Sequence, residues 1–307
     1  MDQRRPLNEK MQWKEAGWNG VRFETPLTWE PSEIGRRYLL FEDQGQPVLE
    51  LKWGKINGRF NPDQVMGKLT PVRRRRRPDA FDQWSPPSPL QKALAAYQFH
   101  GFSWKTPHIS AKGLLLYCPL CKTATLIQFL ERSDAAHGDG QVTAHILRSF
   151  RDHDKDGRRL WAVYDISALV PEIFVLADYH FHPGHFTLHF KQDRKWLSLQ
   201  RWSPAGVILG RQSLETFATG RMASAERGHK MQIRTRENTV DGALSPEATA
   251  MPGLGWIGRR LKRNRYQLWR VWHVKASNRI LAVSLQDTHA IDKRWFDQMV
   301  SSYGAVL

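Results

Sequence analysis

Two groups of side chains have types and spacings that could do chemistry. The first lies in DYHFHPGHFTLHF, residues 178–190, where Pro183-Gly184 is a turn dipeptide between two alternating apolar and polar runs. A two-residue turn there pairs His182 with His185, Phe181 with Phe186, His180 with Thr187 and Asp178 with His189. Period-two alternation then puts Tyr179, Phe181, Phe186, Leu188 and Phe190 on the core face. Asp178, His180, His182, His185 and His189 share the other. Neutral imidazoles with Asp178 as ligand or orienting partner could hold zinc, iron or copper and leave a position for water. A solvent-facing sheet that merely uses histidine is the plain alternative. Pro-Gly favours a type II turn over the primed turns of tight hairpins, and a slip of one residue would dissolve the cluster.

The second group is Cys118-Pro-Leu-Cys121, which holds both cysteines of the chain. It falls at the tip between two strands, within residues 113–129. A thioredoxin-type pair draws its reactive thiolate from a helix N-terminus, so a hairpin tip argues against redox work. Two thiolates at that spacing suit two positions of a tetrahedral zinc site. His100, His108 or His137 could complete it, or two chains could share one ion through their pairs. Two ordinary thiols at a turn are the third reading.

Elements must position these groups, and the chain reads as four strand-strand-helix units. In the first, residues 37–43 and 48–53 alternate as strands about a turn at residues 44–47, preceded by the extended lead-in Phe23, Pro26, Trp29. Asn61-Pro62-Asp63 follows as a helix start with an apolar stripe of Val65, Met66 and Leu69. The second unit has a helix over residues 90–99, the cysteine hairpin, and a helix whose Val142, Ile146, Leu147 and Phe150 fall on one face. The third enters through the apolar stretch 160–177 and contains the histidine hairpin. Its LSLQRW, Leu197 to Trp202, echoes LELKW, Leu49 to Trp53. The fourth comprises residues 265–286 and a helix over 291–303, and Lys275-Ala-Ser-Asn278 occupies the turn that matches the cysteine pair.

The order one, two, one-like, two-like implies a tandem duplication and an α+β fold: antiparallel sheets with helices on one face. The expected domains are residues 1–70 with 90–157, separated by an Arg/Pro-rich linker at 71–89, and residues 158–307, interrupted by a long irregular loop at about 220–258. The lead-in Phe23, Pro26, Trp29 before such a sheet resembles the Mog1/PsbP-like domains. That resemblance implies an adaptor or accessory factor rather than one class of enzyme.

Composition narrows the function classes. Among 307 residues, 41% are hydrophobic and 13 are Trp, which describes a folded chain rather than a disordered one. No apolar run reaches the roughly 18–20 residues of a membrane span, and the N-terminus lacks the apolar core of a secretory signal. Two cysteines leave no disulfide framework, so a cytoplasmic location is expected. No Gly-rich phosphate loop, nucleophile elbow or zinc-protease motif occurs, and no catalytic residue is assigned.

A net charge of +16 favours polyanionic partners, nucleic acid or an acidic protein. It is concentrated in Arg73, Arg74, Arg75, Arg76 and Arg77, and in Arg259, Arg260, Lys262, Arg263 and Arg265, which lead into strands carrying Trp269 and Trp272. Arginine pairs bidentately with phosphate, yet consecutive arginines also repel and read as a solvated loop. The leading expectation is a non-enzymatic binding or adaptor protein with little sequence specificity. A metal-dependent enzyme or metal-binding protein using the histidine face is the alternative.

Overall fold

The structure is a computed structural model that describes residues 11–69, 82–132, 140–154, 156–222, 229–246 and 265–306. The chain divides into two compact units, Met1–Lys155 with Ala162–Tyr164, and Asp156–Trp161 with Asp165–Leu307. It is rich in sheet, with few and short helices.

The first unit opens with a hairpin of β1 (Trp13–Trp18) and β2 (Val21–Pro26), turned at Asn19-Gly20, both of positive φ. Next come β3 (Glu30–Gly35), β4 (Tyr38–Asp43) and β5 (Gln46–Lys55). Helix α1 (Pro62–Leu69) is capped as expected, with Asn61 Oδ1 accepting from the Gln64 N–H at 3.1 Å. After it stand β6 (Asp82–Gln83), α2 (Ser88–Ala93), β7 (Gln98–Lys105), β8 (Ile109–Cys118), β9 (Thr123–Arg132) and α3 (Gly140–Ser149). Seven of these strands form one antiparallel sheet in the order β3-β4-β5-β9-β8-β7-β6. Helix α2 is shorter than the 90–99 helix that the sequence predicts. Tyr97 N–H turns back on the Leu94 carbonyl, and β7 begins at Gln98.

The second unit contains β10 (Arg158–Val163), which crosses the boundary between the units, β11 (Ile166–Pro171), β12 (Val175–His182), β13 (His185–Gln192) and β14 (Lys195–Trp202). Helices α4 (Ala205–Leu209) and α5 (Leu214–Met222) follow, then β15 (His229–Arg236), β16 (Thr239–Pro246), β17 (Tyr266–Val274), β18 (Arg279–Asp287), α6 (Lys293–Ser302) and β19 (Gly304–Ala305). The Asp292 carboxylate caps α6, accepting from the Arg294 N–H at 2.8 Å. Here the sheet runs β12-β13-β14-β18-β17-β16-β15, the order of the first sheet repeated strand for strand.

Two expectations need correction. The stretch 220–258, read as irregular, contains the β15–β16 hairpin, with Arg236 opposite Thr239 and His229 opposite Pro246. Helices also cover both faces of the second sheet rather than one. On one side Phe217, Ala218 and Met222 of α5 pack with Trp202, Trp269, Val271, Ile280 and Ala282. On the other, Asp297 of α6 reaches Arg270 at 3.1 Å, and Tyr303, just past α6, meets the Trp272 ring edge-on at 5.8 Å. The cause is visible in β18, where Ile280 through Leu285 are all buried, so neither face of the central strand faces water. Strand β9 shows the same pattern from Thr123 to Phe129. Among the described residues no helix is long and apolar enough to cross a membrane.

Candidate metal centre and binding surfaces

Strands β8 and β9 form the hairpin that carries the cysteines. Cys118 ends β8 opposite Thr123, and the turn closes at Lys122, whose φ is 55°. Alternation sends Tyr117 and Leu115 towards Val65 of α1 and Cys118 to the opposite face. There it meets the chain leaving α3. Arg151 exchanges two backbone hydrogen bonds of 2.8 Å with Arg22 of β2, which fixes the next two residues beside the hairpin tip.

Those residues are Asp152 and His153. His153 Nδ1 lies 2.7 Å from Asp152 Oδ1 and 3.7 Å from Cys118 Sγ, and Cys121 Sγ lies 3.1 Å from Asp152 Oδ2. Cys118 and Asp152 are buried, Cys121 half-buried and His153 exposed. One donor atom from each of the four falls within 4.8 Å of all the others, and among the described residues this is the group of His, Cys, Asp and Glu that converges so. Tyr97 donates to Asp152 Oδ1 at 3.3 Å, and Thr123 Oγ1 sits 3.2 Å from Cys121 Sγ. Burial, with the Asp152 carboxylate adding to it, pushes the Cys121 thiol up to about 11. The Tyr97 phenol is raised by the same two causes, burial first.

This arrangement is poorly built for a nucleophile. A Cys-His-Asp relay needs thiol and carboxylate on opposite ring nitrogens, and here both face Nδ1. A raised thiol pKa is also the reverse of what redox or nucleophilic cysteines require. Sequence reasoning proposed other partners. His100 and His108 are exposed and stand outside the cluster, and His137 lies outside the described residues. Asp152 and His153 were missed because they follow a helix, 31 and 35 residues from the cysteines they approach. Their adjacency just past the helix end is the signal that could have found them.

The histidine hairpin holds the expected register, with Asp178 opposite His189, His180 opposite Thr187 and His182 opposite His185, after a bulge between Leu176 and Asp178. The side chains share a face but not a focus. His180 Nε2 is 2.9 Å from Asp178 Oδ2, and the His180 and His182 rings stack at 5.7 Å. His185 stacks on Trp202 at 4.9 Å, with its Nε2 3.2 Å from Gln200 Oε1. His189 Nδ1 meets Ser198 Oγ at 2.5 Å. Burial lowers the pKa values of His185 and His189. The Tyr179 N–H, with His180 and His189 assisting, lowers that of Asp178. The ring nitrogens of His185 and His189 turn to uncharged neighbours on β14 rather than to one another, so the patch that alternation predicts does not gather donors around one point.

Of the basic residues singled out in the sequence, Arg73–Arg77, Arg259, Arg260, Lys262 and Arg263 lie outside the described residues. Arg265 is half-buried just before β17. A basic element that sequence reasoning missed is β15, the edge of the second sheet, where Lys230, Arg234 and Arg236 are exposed together with Met231, Gln232 and Thr235. The alternation of Met231, Ile233 and Thr235 with polar residues was its signal.

No protein family matches the chain, and no curated protein does. Solved structures that resemble it include the Saccharomyces cerevisiae Ran-binding protein Mog1p, at 9% identity over 48% of this chain and 95% of that one, with a TM-score of 0.33. A point mutant of Mog1 matches at 10% identity over 48% and 96%, with the same TM-score of 0.33. A protein from Bacteroides thetaiotaomicron matches at 12% identity over 52% and 53%, with a TM-score of 0.31.

Proposed function

We propose that this chain is a non-enzymatic, cytoplasmic binding or adaptor protein, built from two related halves, that engages a polyanionic partner through basic side chains. The observation that carries this reading is β15. Its cations stand on an edge strand with side chains of both faces in water, where they can reach phosphates or carboxylates without desolvating a core. The net charge of +16 supplies long-range attraction. Arg73–Arg77 and Arg259–Arg265 are the further contacts that the proposal assigns. The repeated strand order supports descent of the halves from one duplicated unit, with the domain boundary near residue 157.

The test is fluorescence anisotropy with single-stranded and duplex oligonucleotides, and with polyglutamate, at about 50 and 200 mM salt. Binding that weakens steeply with salt is expected. Neutralising Lys230, Arg234 and Arg236 to Gln lowers affinity and reduces the salt slope by up to about three. Absence of binding to every probe at the lower salt overturns the reading, and preference between the probes identifies the partner class.

A further inference from the structure

We propose that Cys118, Cys121, Asp152 and His153 form a closed structural zinc site that ties the tip of the β8–β9 hairpin to the segment leaving α3. The donor set is complete: two sulfurs, one imidazole nitrogen and one carboxylate oxygen fill the four positions of tetrahedral zinc and leave none for substrate. With zinc bonds of about 2.0–2.3 Å, the edges of such a tetrahedron measure roughly 3.3–3.8 Å. The contacts of 3.7 Å from Cys118 Sγ to His153 Nδ1 and 3.1 Å from Cys121 Sγ to Asp152 Oδ2 are near that size. Small outward movements of the exposed imidazole and the half-buried thiolate bring the set to ligand distances.

The surroundings fit a cation. Two thiolates and a carboxylate exceed the charge of one zinc by a single negative charge, and Lys55 answers it, its ammonium donating to the Cys121 carbonyl at 2.5 Å. Tyr97 and Thr123 stand against the carboxylate and Cys121 as the outer hydrogen-bonding groups that orient ligands. A carboxylate as buried as Asp152, 6% exposed, is costly without a full counter-charge, and zinc provides one.

The second unit gives an independent control. Its matching hairpin, β17–β18, closes with the same four-residue turn, Lys275–Asn278, and its chain leaves α6 with Gly304 opposite Ser167 as Arg151 stands opposite Arg22. The positions that correspond to the four donors are Val274, Ser277, Ala305 and Val306. The fold therefore closes both hairpins without requiring ligands, and a full donor set in the first unit is an addition to it.

The experiment uses the full chain, purified without a metal-affinity tag, with zinc measured by elemental mass spectrometry and cobalt(II) as a spectroscopic substitute. About one zinc per chain is expected, together with thiolate-to-cobalt charge transfer and the strong visible bands of four-coordinate cobalt. Cys121→Ser and His153→Gln should each lose the metal, whereas the double variant His180→Ala, His182→Ala keeps it. His153 is exposed, so its variant remains informative if Cys121→Ser fails to fold. A wild-type chain that takes up neither metal overturns the proposal, as does metal retained by both single variants. Metal lost from the histidine double variant overturns it in favour of the other face.

Discussion

Phe102 and Gly113 face one another across β7 and β8 so closely that a Cβ on the glycine would lie 2.3 Å from the ring. In the second sheet the pair is exchanged. Trp269 occupies the β17 position that matches Gly113, and Gly242 on β16 matches Phe102, with its absent Cβ 2.0 Å from the indole. Each sheet thus fits one large ring over a bare backbone at the same rung, whichever strand supplies it. Gly242→Ala should cost about 3 kcal/mol, since Trp269 is fully buried and cannot move aside. Urea denaturation reads the loss. The exchange Phe102→Gly with Gly113→Phe should recover stability that Gly113→Ala loses, and a double variant no better than the single would show that the rungs are not equivalent.

A second correspondence concerns how β5 and β14 are tied to the turns that follow β1 and β10. Trp53 donates its indole N–H to the Asn19 carbonyl at 3.2 Å, and at the matching position Arg201 forms an ion pair with Asp165. Arg279 Nε also approaches Asp165, at 2.5 Å. Replacing Asp165 by Asn leaves one buried guanidinium, Arg201, and one half-buried, Arg279, without their anion. A loss of about 3–5 kcal/mol in thermal or urea unfolding is expected. A change below about 1 kcal/mol would mean that water screens the pair in solution.

The same particulars show what a sequence reader could and could not see. The histidine register was legible because Pro183-Gly184 marks its turn and alternation does the rest. The cap at Asn61 and the match of Lys275–Asn278 to the cysteine turn were legible for similar local reasons. Strand β15 was hard to read because it is an edge: Met231, Ile233 and Thr235 alternate with polar residues, but with only His229 and Ile233 half-buried they form no clean apolar stripe. The echo of LSLQRW and LELKW is real in register but shifted in meaning, since Trp53 corresponds to Arg201 and not to Trp202. The adjacency of Asp152 and His153 past α3 marks them as candidate ligands, but nothing local pairs them with cysteines 31 and 35 residues away. Their approach depends on the Arg22–Arg151 bridge, a long-range contact with no local signature.

Acid should weaken the second unit through its histidine face. His185 and His189 have folded pKa values below the ordinary 6.5. Burial is the main cause for both. Arg221, His182 and His180 add to it at His185 against Gln200, while at His189 His180 adds and Asp178 opposes. The unfolded chain therefore binds more protons, so stability is full above about pH 6.5 and falls as the pH drops from there towards the folded values. Asp178, also lowered, acts only in the carboxylate range and does not offset this window. The urea midpoint should drop between pH 7.5 and 5.5, and His189→Gln should flatten that slope. An unchanged slope in the variant would assign the acid response to other groups.

Asn278 and Lys122 close their turns in the same left-handed conformation, with φ of 52° and 55°. Asparagine tolerates it well and lysine less so. Asn278 additionally accepts from the Gly206 N–H through Oδ1 at 2.9 Å, tying the turn to α4. Asn278→Ala should therefore cost about 1–2 kcal/mol. Lys122→Gly should be neutral or slightly stabilising, because glycine removes the strain. Equal losses at the two sites in urea titrations would contradict this.

The repeated strand order also dictates how each sheet must be assembled in time. Strands β3, β4 and β5 are joined by short turns, and so are β7, β8 and β9, so each group pairs with near neighbours in the chain. The two groups meet along one seam, where Leu49 pairs with Phe129, and in the second unit Trp196 with Gln286. Closing that seam orders a long stretch of chain before any contact across it is gained. The seam strands β9 and β18 are also the most deeply buried, so the bulk of the core in each unit waits on its slowest pairing. Substitutions there should slow folding, while those in the outer hairpins should mainly hasten unfolding.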